Sequence, residues 1–111
     1  MKLLAFAVLL PALLPAAWAQ AQVAPDAQRQ RELVRMVRQD CGSCHGMRLT
    51  GGLGPPLDAA RLAQWPLESL VATIHQGRPG TPMPGWSALL SREDSTWIAQ
   101  QLQKGFPGEA R

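Results

Sequence analysis

Five consecutive residues, with the sequence CGSCH at positions 41–45, constrain the fold of this chain more than any other feature. The pattern C-x-x-C-H is typical of the attachment site of a c-type haem. Two thiols at this spacing reach the two vinyl groups on one edge of the macrocycle, and the histidine that follows supplies an imidazole to the iron. We therefore predict one covalently bound haem c, with thioethers to Cys41 and Cys44 and with His45 as the proximal ligand of the iron.

Three other interpretations of the same residues compete with haem attachment. A C-x-x-C pair also occurs as a dithiol redox motif, but that motif is typical of a βαβ context, which this sequence does not suggest. A zinc site needs about four ligands, and the whole chain has two cysteines and two histidines. A structural disulfide across so short a loop would stabilise the chain little. The dithiol redox pair is the strongest of these alternatives.

The N-terminal residues have the pattern of a secretory signal peptide. They comprise a positive charge at Lys2, an apolar stretch at 3–14 and an A-x-A cleavage site that ends at Ala19. The apolar stretch of about 12 residues is well short of the ~20 that a membrane-spanning helix requires. We predict export to the periplasm with cleavage after Ala19, or alternatively after Ala21, and no stable membrane insertion after cleavage.

The remaining residues, 20–111, are enough for one small domain, here predicted to be a monohaem domain. Such a domain buries only a modest core, so the haem is expected to be part of what its side chains pack against. The net charge of the whole chain is +3, which is too mild to indicate nucleic acid binding. It is compatible with weak electrostatic guidance toward an acidic partner.

The hydrophobic pattern of the mature chain predicts an all-α fold. Apolar residues recur at helical spacing, and no alternating β-branched run is long enough to indicate a strand. Pro66 suits a first helical position, and Ser91 suits an N-cap. We predict three to five helices around the haem: Asp26–Asp40, a short turn over Asp58–Gln64, Pro66 to Gly77, and Ser91 to Gly105.

A second axial ligand must come from the few methionine and histidine side chains. Met36 lies on an apolar helix face, and Met47 is too close to His45 in sequence to reach the opposite side of the ring. His75 lies at the end of a predicted helix, where a surface role suits it equally well. Met83 lies between two prolines in an irregular loop, and these stiffen the chain that presents its sulfur. Met83 is the favoured ligand, while His75 and a non-ligating Met83 remain alternatives.

Taken together, the helices, the CGSCH motif, the GPPL segment at 54–57 and the Met-Pro loop resemble a class I cytochrome c. The resemblance covers nearly all of the mature chain. It implies a proline whose carbonyl accepts a hydrogen bond from the proximal imidazole N–H, a contact that fixes the ring and its basicity. The resemblance implies that Cys41 and Cys44 form the thioethers and that His45 is the proximal ligand. It also implies that Pro55 is this proline and that Met83 is the distal ligand.

Three longer segments narrow the resemblance. DCGSCHG at 40–46, LTGGLGP at 49–55 and GRPGTPMP at 77–84 are similar to the NirC family. The members of this family are small periplasmic monohaem cytochromes that accompany cytochrome cd1 nitrite reductase in denitrifying bacteria. The resemblance implies electron donation to that reductase, or alternatively a step in the maturation of its haem d1.

These features together predict a one-electron carrier rather than an enzyme. Full axial ligation would leave no open position on the iron, and no convergent set of acid, base and nucleophile is recognisable in the sequence. The alternative within haem proteins is a sensor or enzyme with a labile distal ligand. Met83 in its Pro-flanked loop argues against that alternative.

Overall fold

The computed structural model describes residues 23–107, and every regular element in that range is helical, without a strand. The predicted signal peptide and its cleavage sites lie outside the described residues. The all-α prediction is confirmed. In chain order the elements are α1 (Ala27–Met36), a π-helical segment (Val37–Cys41), α2 (Gly42–His45), α3 (Ala59–Leu62), α4 (Leu67–Gln76) and α5 (Arg92–Gln103).

Helix α1 begins as its sequence predicts and ends differently. The carboxylate of Asp26 accepts a hydrogen bond from the backbone N–H of Arg29 at 2.8 Å, which satisfies one of the unpaired donors of the first turn. A regular α-helix as far as Asp40 was the expectation, but the α-helix ends at Met36 and widens into π-helical geometry over Val37–Cys41. A π-turn adds a residue to one helical turn and is frequent near functional sites. Here it leads directly into the CGSCH motif.

The middle helices begin and end close to the predicted residues. Asp58 caps α3 by accepting a hydrogen bond from the backbone N–H of Arg61 at 2.9 Å. Helix α4 follows Pro66 and stops before Gly77, whose φ of 74° is one that glycine adopts without a steric penalty. These two helices lead the chain to the loop that contains Met83.

Helix α5 begins with a complete capping box. The hydroxyl of Ser91 accepts a hydrogen bond from the backbone N–H of Asp94 at 3.0 Å, and the Asp94 carboxylate accepts one from the backbone N–H of Ser91 at 3.1 Å. An aspartate therefore fills the role that glutamate or glutamine usually has. The helix ends at Gln103, two residues before the predicted Gly105.

The core surrounds α5, which supplies three of its buried residues, and the others come from α1, the π-helical segment, α3 and two loops. Trp97 of α5 is 8% exposed and belongs to this core. None of the helices between residues 23 and 107 is long and apolar enough to cross a membrane. The buried cluster comprises Leu33, Val37, Leu49, Leu62, Leu90, Trp97, Ile98 and Leu102.

Candidate haem site

The two cysteines of the CGSCH motif are free thiols with different surroundings. Cys41, at the end of the π-helical segment, is half-buried, and Cys44 in α2 is exposed. Burial, and secondarily the neighbouring carboxylate of Asp40, raises the pKa of Cys41 to about 11. Both side chains are thus available for thioether formation, and Cys41 is a protonated thiol at neutral pH in the absence of haem.

The imidazole of His45 is held by a backbone carbonyl. Its Nδ1 lies 2.7 Å from the carbonyl oxygen of Pro55. Because a carbonyl can only accept a hydrogen bond, Nδ1 carries the proton in this contact. The lone pair of the neutral ring then lies on Nε2, the nitrogen that remains free to bind a metal.

A tight loop brings Pro55 back to the motif. The backbone N–H of Gly51 donates to the carbonyl of His45, and that of Gly54 donates to the carbonyl of Cys44, both at 2.8 Å. A Cβ atom at Gly54 would lie 2.7 Å from Cε1 of His45 and 2.8 Å from its Nδ1. The imidazole ring therefore occupies the space that any side chain at position 54 would need.

The outer side of the same loop presents apolar side chains to solvent. Leu53 is 95% exposed and Met47 is 62% exposed, although backbone hydrogen bonds fix the loop around them. Arg48 is exposed between them in sequence. The loop is therefore an ordered, partly apolar and cationic surface next to Cys44.

Met83 lies half-buried in a loop whose two ends are tied together. The carbonyls of Ile74 and His75, at the end of α4, accept hydrogen bonds from the backbone N–H groups of Trp86 and Ser87, each at 3.1 Å. A Cβ atom at Gly77 would lie 2.6 Å from the backbone nitrogen of Gly85, so the chain entering the loop and the chain leaving it are in contact at the base of the loop. The loop thus presents Met83 from a fixed base.

The other candidates for the distal position have different surroundings. The imidazole Nδ1 of His75 lies 3.3 Å from the hydroxyl of Ser95, a fully buried residue of α5, so His75 links α4 to α5. Met36 packs half-buried against the core cluster, and Met47 is exposed in the loop after the motif.

The side chains of the motif, together with those at the edge of the core, fit a covalently attached haem. They combine two free thiols at the required spacing, an imidazole oriented through Nδ1, and large apolar side chains that pack on the core but keep part of their surface open. Among residues 23–107 there is no group of three or more histidine, cysteine, aspartate or glutamate side chains that would hold a bare metal ion. The half-buried apolar residues are Val34, Met36, Leu57, Leu70, Ile74, Trp86 and Phe106.

Sequence reasoning did not identify Gly54 and Thr81 as parts of the site. In the sequence, Gly54 is only one residue of the GPPL segment, and only the three-dimensional loop shows that the His45 ring fills the space of its missing side chain. Thr81 has a hydroxyl that binds the backbone of the Met83 loop. Its position two residues before Met83 was the only available signal.

Comparisons with known proteins show similarity to c-type cytochromes. Residues 28–101 match the family model described as cytochrome c oxidase, cbb3-type, subunit III. Cytochrome c55X of Stutzerimonas stutzeri is 54% identical over 84 residues, covering 76% of this chain and 74% of that protein. The solved structure of a c-type cytochrome NirC is 56% identical with a TM-score of 0.71, covering 72% of this chain and 94% of that one.

A longer protein shares the fold over a small part of its length. In the structure of dihydro-haem d1 dehydrogenase NirN in complex with DHE, the matching part is 30% identical with a TM-score of 0.60. The match covers 69% of this chain and 17% of that one. Together with the fold and the CGSCH motif, these findings show that the chain belongs to the cytochrome c55X, or NirC, family of c-type cytochromes, which carry covalently bound haem c.

Proposed function

We propose that this protein is an exported one-electron carrier of denitrification, with Cys41 and Cys44 holding haem c and with His45 and Met83 as axial ligands. When bound, the haem supplies an iron that takes up and releases one electron. The observation that carries the proposal is the 2.7 Å contact of His45 Nδ1 with the Pro55 carbonyl. This contact orients the ring, leaves Nε2 for the metal and raises the basicity of the ligand.

The Met83 loop supports a carrier over a sensor or enzyme. A thioether stabilises ferrous iron more than a second imidazole does, and it therefore raises the reduction potential. A raised potential suits an electron carrier. A ligand presented from a tied loop keeps the sixth position filled, so substrates and small gases have no ready access to the iron. The role of the chain is then to hold the iron, tune its potential and expose one docking face.

For the partner we propose a cytochrome cd1 nitrite reductase, which the family resemblance implies. The docking face would include Leu53, Met47 and Arg48 on the loop after the motif and Arg78 at the start of the Met83 loop, all exposed. Redox partners form small and transient contacts. Two ordered apolar side chains supply contact area there, and two cations supply weak guidance toward an acidic partner.

Stopped-flow oxidation of the reduced protein by the cognate nitrite reductase tests this function. Rapid transfer is expected, with a second-order rate constant that falls modestly as ionic strength rises. Leu53→Ser should lower that constant about fivefold, since an exposed leucine loses its apolar contact with the partner. Leu89→Ser is the matched control, because Leu89 is 60% exposed between α4 and α5, and it should leave the rate unchanged.

Two results would contradict the donor proposal. Negligible transfer, while another exported cytochrome of the same cell reduces the enzyme well, would show that the partner is wrong. An unchanged rate constant in Leu53→Ser, or an equal loss in Leu89→Ser, would show that Leu53 does not belong to a specific docking face.

The likeness to NirN favours a second candidate, a step in haem d1 maturation. In that role the protein would accept electrons from the dehydrogenation of a haem d1 precursor. Such a reaction releases two electrons and a monohaem carrier accepts one, so two molecules would be reduced per product. Deletion of the gene distinguishes the roles: loss of haem d1 from the reductase, with its haem c intact, supports maturation, and a fully loaded reductase supports donation.

A further inference from the structure

The segment around Met83 has unusually few backbone donors. Pro82 and Pro84 have no N–H group, so Met83 provides the only backbone donor of the three residues. That donor points to the hydroxyl of Thr81, with a distance of 3.3 Å from the Met83 nitrogen to Thr81 Oγ1. The N–H of the proposed ligand is thus bound by a side chain of its own loop.

The same hydroxyl also binds the backbone of Arg78, at the start of the loop. Thr81 Oγ1 donates to the carbonyl of Arg78 at 2.7 Å, while the backbone N–H of Arg78 donates to the carbonyl of Met83 at 3.1 Å. Both backbone polar groups of Met83 are therefore engaged within residues 78–83. The Thr81 hydroxyl, acting once as donor and once as acceptor, thus connects the backbone of Arg78 to that of Met83.

We propose that Thr81 is a positioning residue for the distal ligand: its hydroxyl keeps the Met83 loop closed and so sets how often the sixth position on the iron is open. The inference rests on the proposed function, in which Met83 binds the iron. Thr81 acts through the backbone of Met83 and does not touch the iron. Its removal should change the equilibrium between closed and open loop without removing the thioether.

The size of the effect follows from the exposure of Thr81. Because the side chain is exposed, water can partly replace the lost hydroxyl, and the loss should equal that of an ordinary hydrogen bond. The open population should therefore rise about fivefold. A ligand that binds only the open state then shows an apparent Kd that is about fivefold lower, since that constant varies inversely with the competent fraction.

The experiment is a titration of the ferric holoprotein with imidazole, followed by its absorption spectrum. Thr81→Val keeps the branched shape that suits a residue before proline and removes only the hydroxyl; its apparent Kd should fall about fivefold. Thr81→Ser restores a hydroxyl and should restore the wild-type value. Thr73→Val is the matched control, since Thr73 Oγ1 donates to the carbonyl of Ser69 at 2.8 Å within α4, and it should change nothing.

Met83→Ala separates failure of the inference from failure of the proposed ligation. The inference is supported if Met83→Ala binds imidazole more tightly than the wild type, because no thioether then competes for the iron, and if the affinity of Thr81→Val lies between those two values. If Met83→Ala binds imidazole tightly while Thr81→Val equals the wild type, the role of Thr81 is wrong and the ligation stands. If Met83→Ala equals the wild type, the ligation is wrong and the role of Thr81 falls with it.

Discussion

At the scale of single residues, the position of the His45 imidazole depends on the absence of a side chain at position 54. Gly54 has no side chain, and the ring of His45 occupies the space where one would lie. The spacing of the CGSCH motif predicts the thiols and the imidazole, because the chemistry of attachment requires them at fixed separations. It does not predict the glycine, whose role follows from the path of the returning loop.

The first prediction concerns Gly54→Ala. A Cβ atom 2.7 Å from Cε1 of His45 must displace the ring or the Pro55 carbonyl, so the holoprotein should lose about 1–3 kcal/mol of stability. A weaker hydrogen bond to Nδ1 makes the imidazole a poorer donor to ferric iron, and the reduction potential should rise. Denaturant unfolding and a potentiometric titration measure the two effects.

Gly42→Ala is the control for that variant. Gly42 lies in the CGSCH motif itself, and its added Cβ would meet nothing closer than 3.4 Å, an ordinary contact. Its stability should stay within about 1 kcal/mol of the wild type. If both alanine variants keep the wild-type potential, the ring of His45 is not confined by the returning loop.

At the scale of elements, local patterns account for most helix ends. Asp26, Ser91 and Pro66 have side chains whose preferences act within one turn, so their helices begin where the sequence predicts. The π-helical segment before the motif was not predicted, because a single inserted residue leaves no periodic signal in five residues.

Contacts between helices were also beyond sequence reasoning. A guanidinium nitrogen of Arg29 in α1 lies 2.8 Å from the carboxylate of Asp94 in α5, and it also donates to the carbonyl of Leu89 at 3.1 Å. These partners are 60 or more residues apart in sequence. Arg29 therefore links the first turn of α1 to the first turn of α5.

The second prediction is that Asp94 makes stability depend on pH. Burial alone would raise the pKa of this carboxyl, but hydrogen bonds from Arg29 and from the Ser91 backbone outweigh burial and lower it. A lowered pKa means that the carboxylate stabilises the fold above its ordinary pKa, and that this contribution disappears as pH falls through the folded-state value. Asp94→Asn should therefore cost about 1–2 kcal/mol at pH 7 and progressively less in acid.

Denaturant unfolding of the wild type and of Asp94→Asn, from neutral pH down into acid, measures the difference in the free energy of unfolding. Glu68→Gln is the control, since it breaks an ion pair with Arg92 whose side chains are 66% and 52% exposed, and it should cost under about 1 kcal/mol. A gap between wild type and Asp94→Asn that stays constant from neutral to acidic pH would contradict the assignment.

At the scale of the whole molecule, the described residues form a set of short helices around CGSCH, a motif typical of haem attachment. Many apolar side chains remain only half-buried, as expected for a small domain whose core includes its cofactor. Family membership fixes haem c as that cofactor, and the signal peptide at residues 1–19 stays a prediction. With a net charge of +3 over 111 residues, long-range steering is weak, so the choice of partner would depend on contacts at the proposed docking face.

The central claim is that His45 and Met83 together close the coordination of the iron. The most direct measurement is the absorption spectrum of the ferric holoprotein in the far red, where His/Met ligation gives a weak charge-transfer band. We predict that the wild type and His75→Ala show this band, and that Met83→Ala loses it and binds carbon monoxide once reduced. A band that survives in Met83→Ala, or that disappears in His75→Ala, would contradict the account.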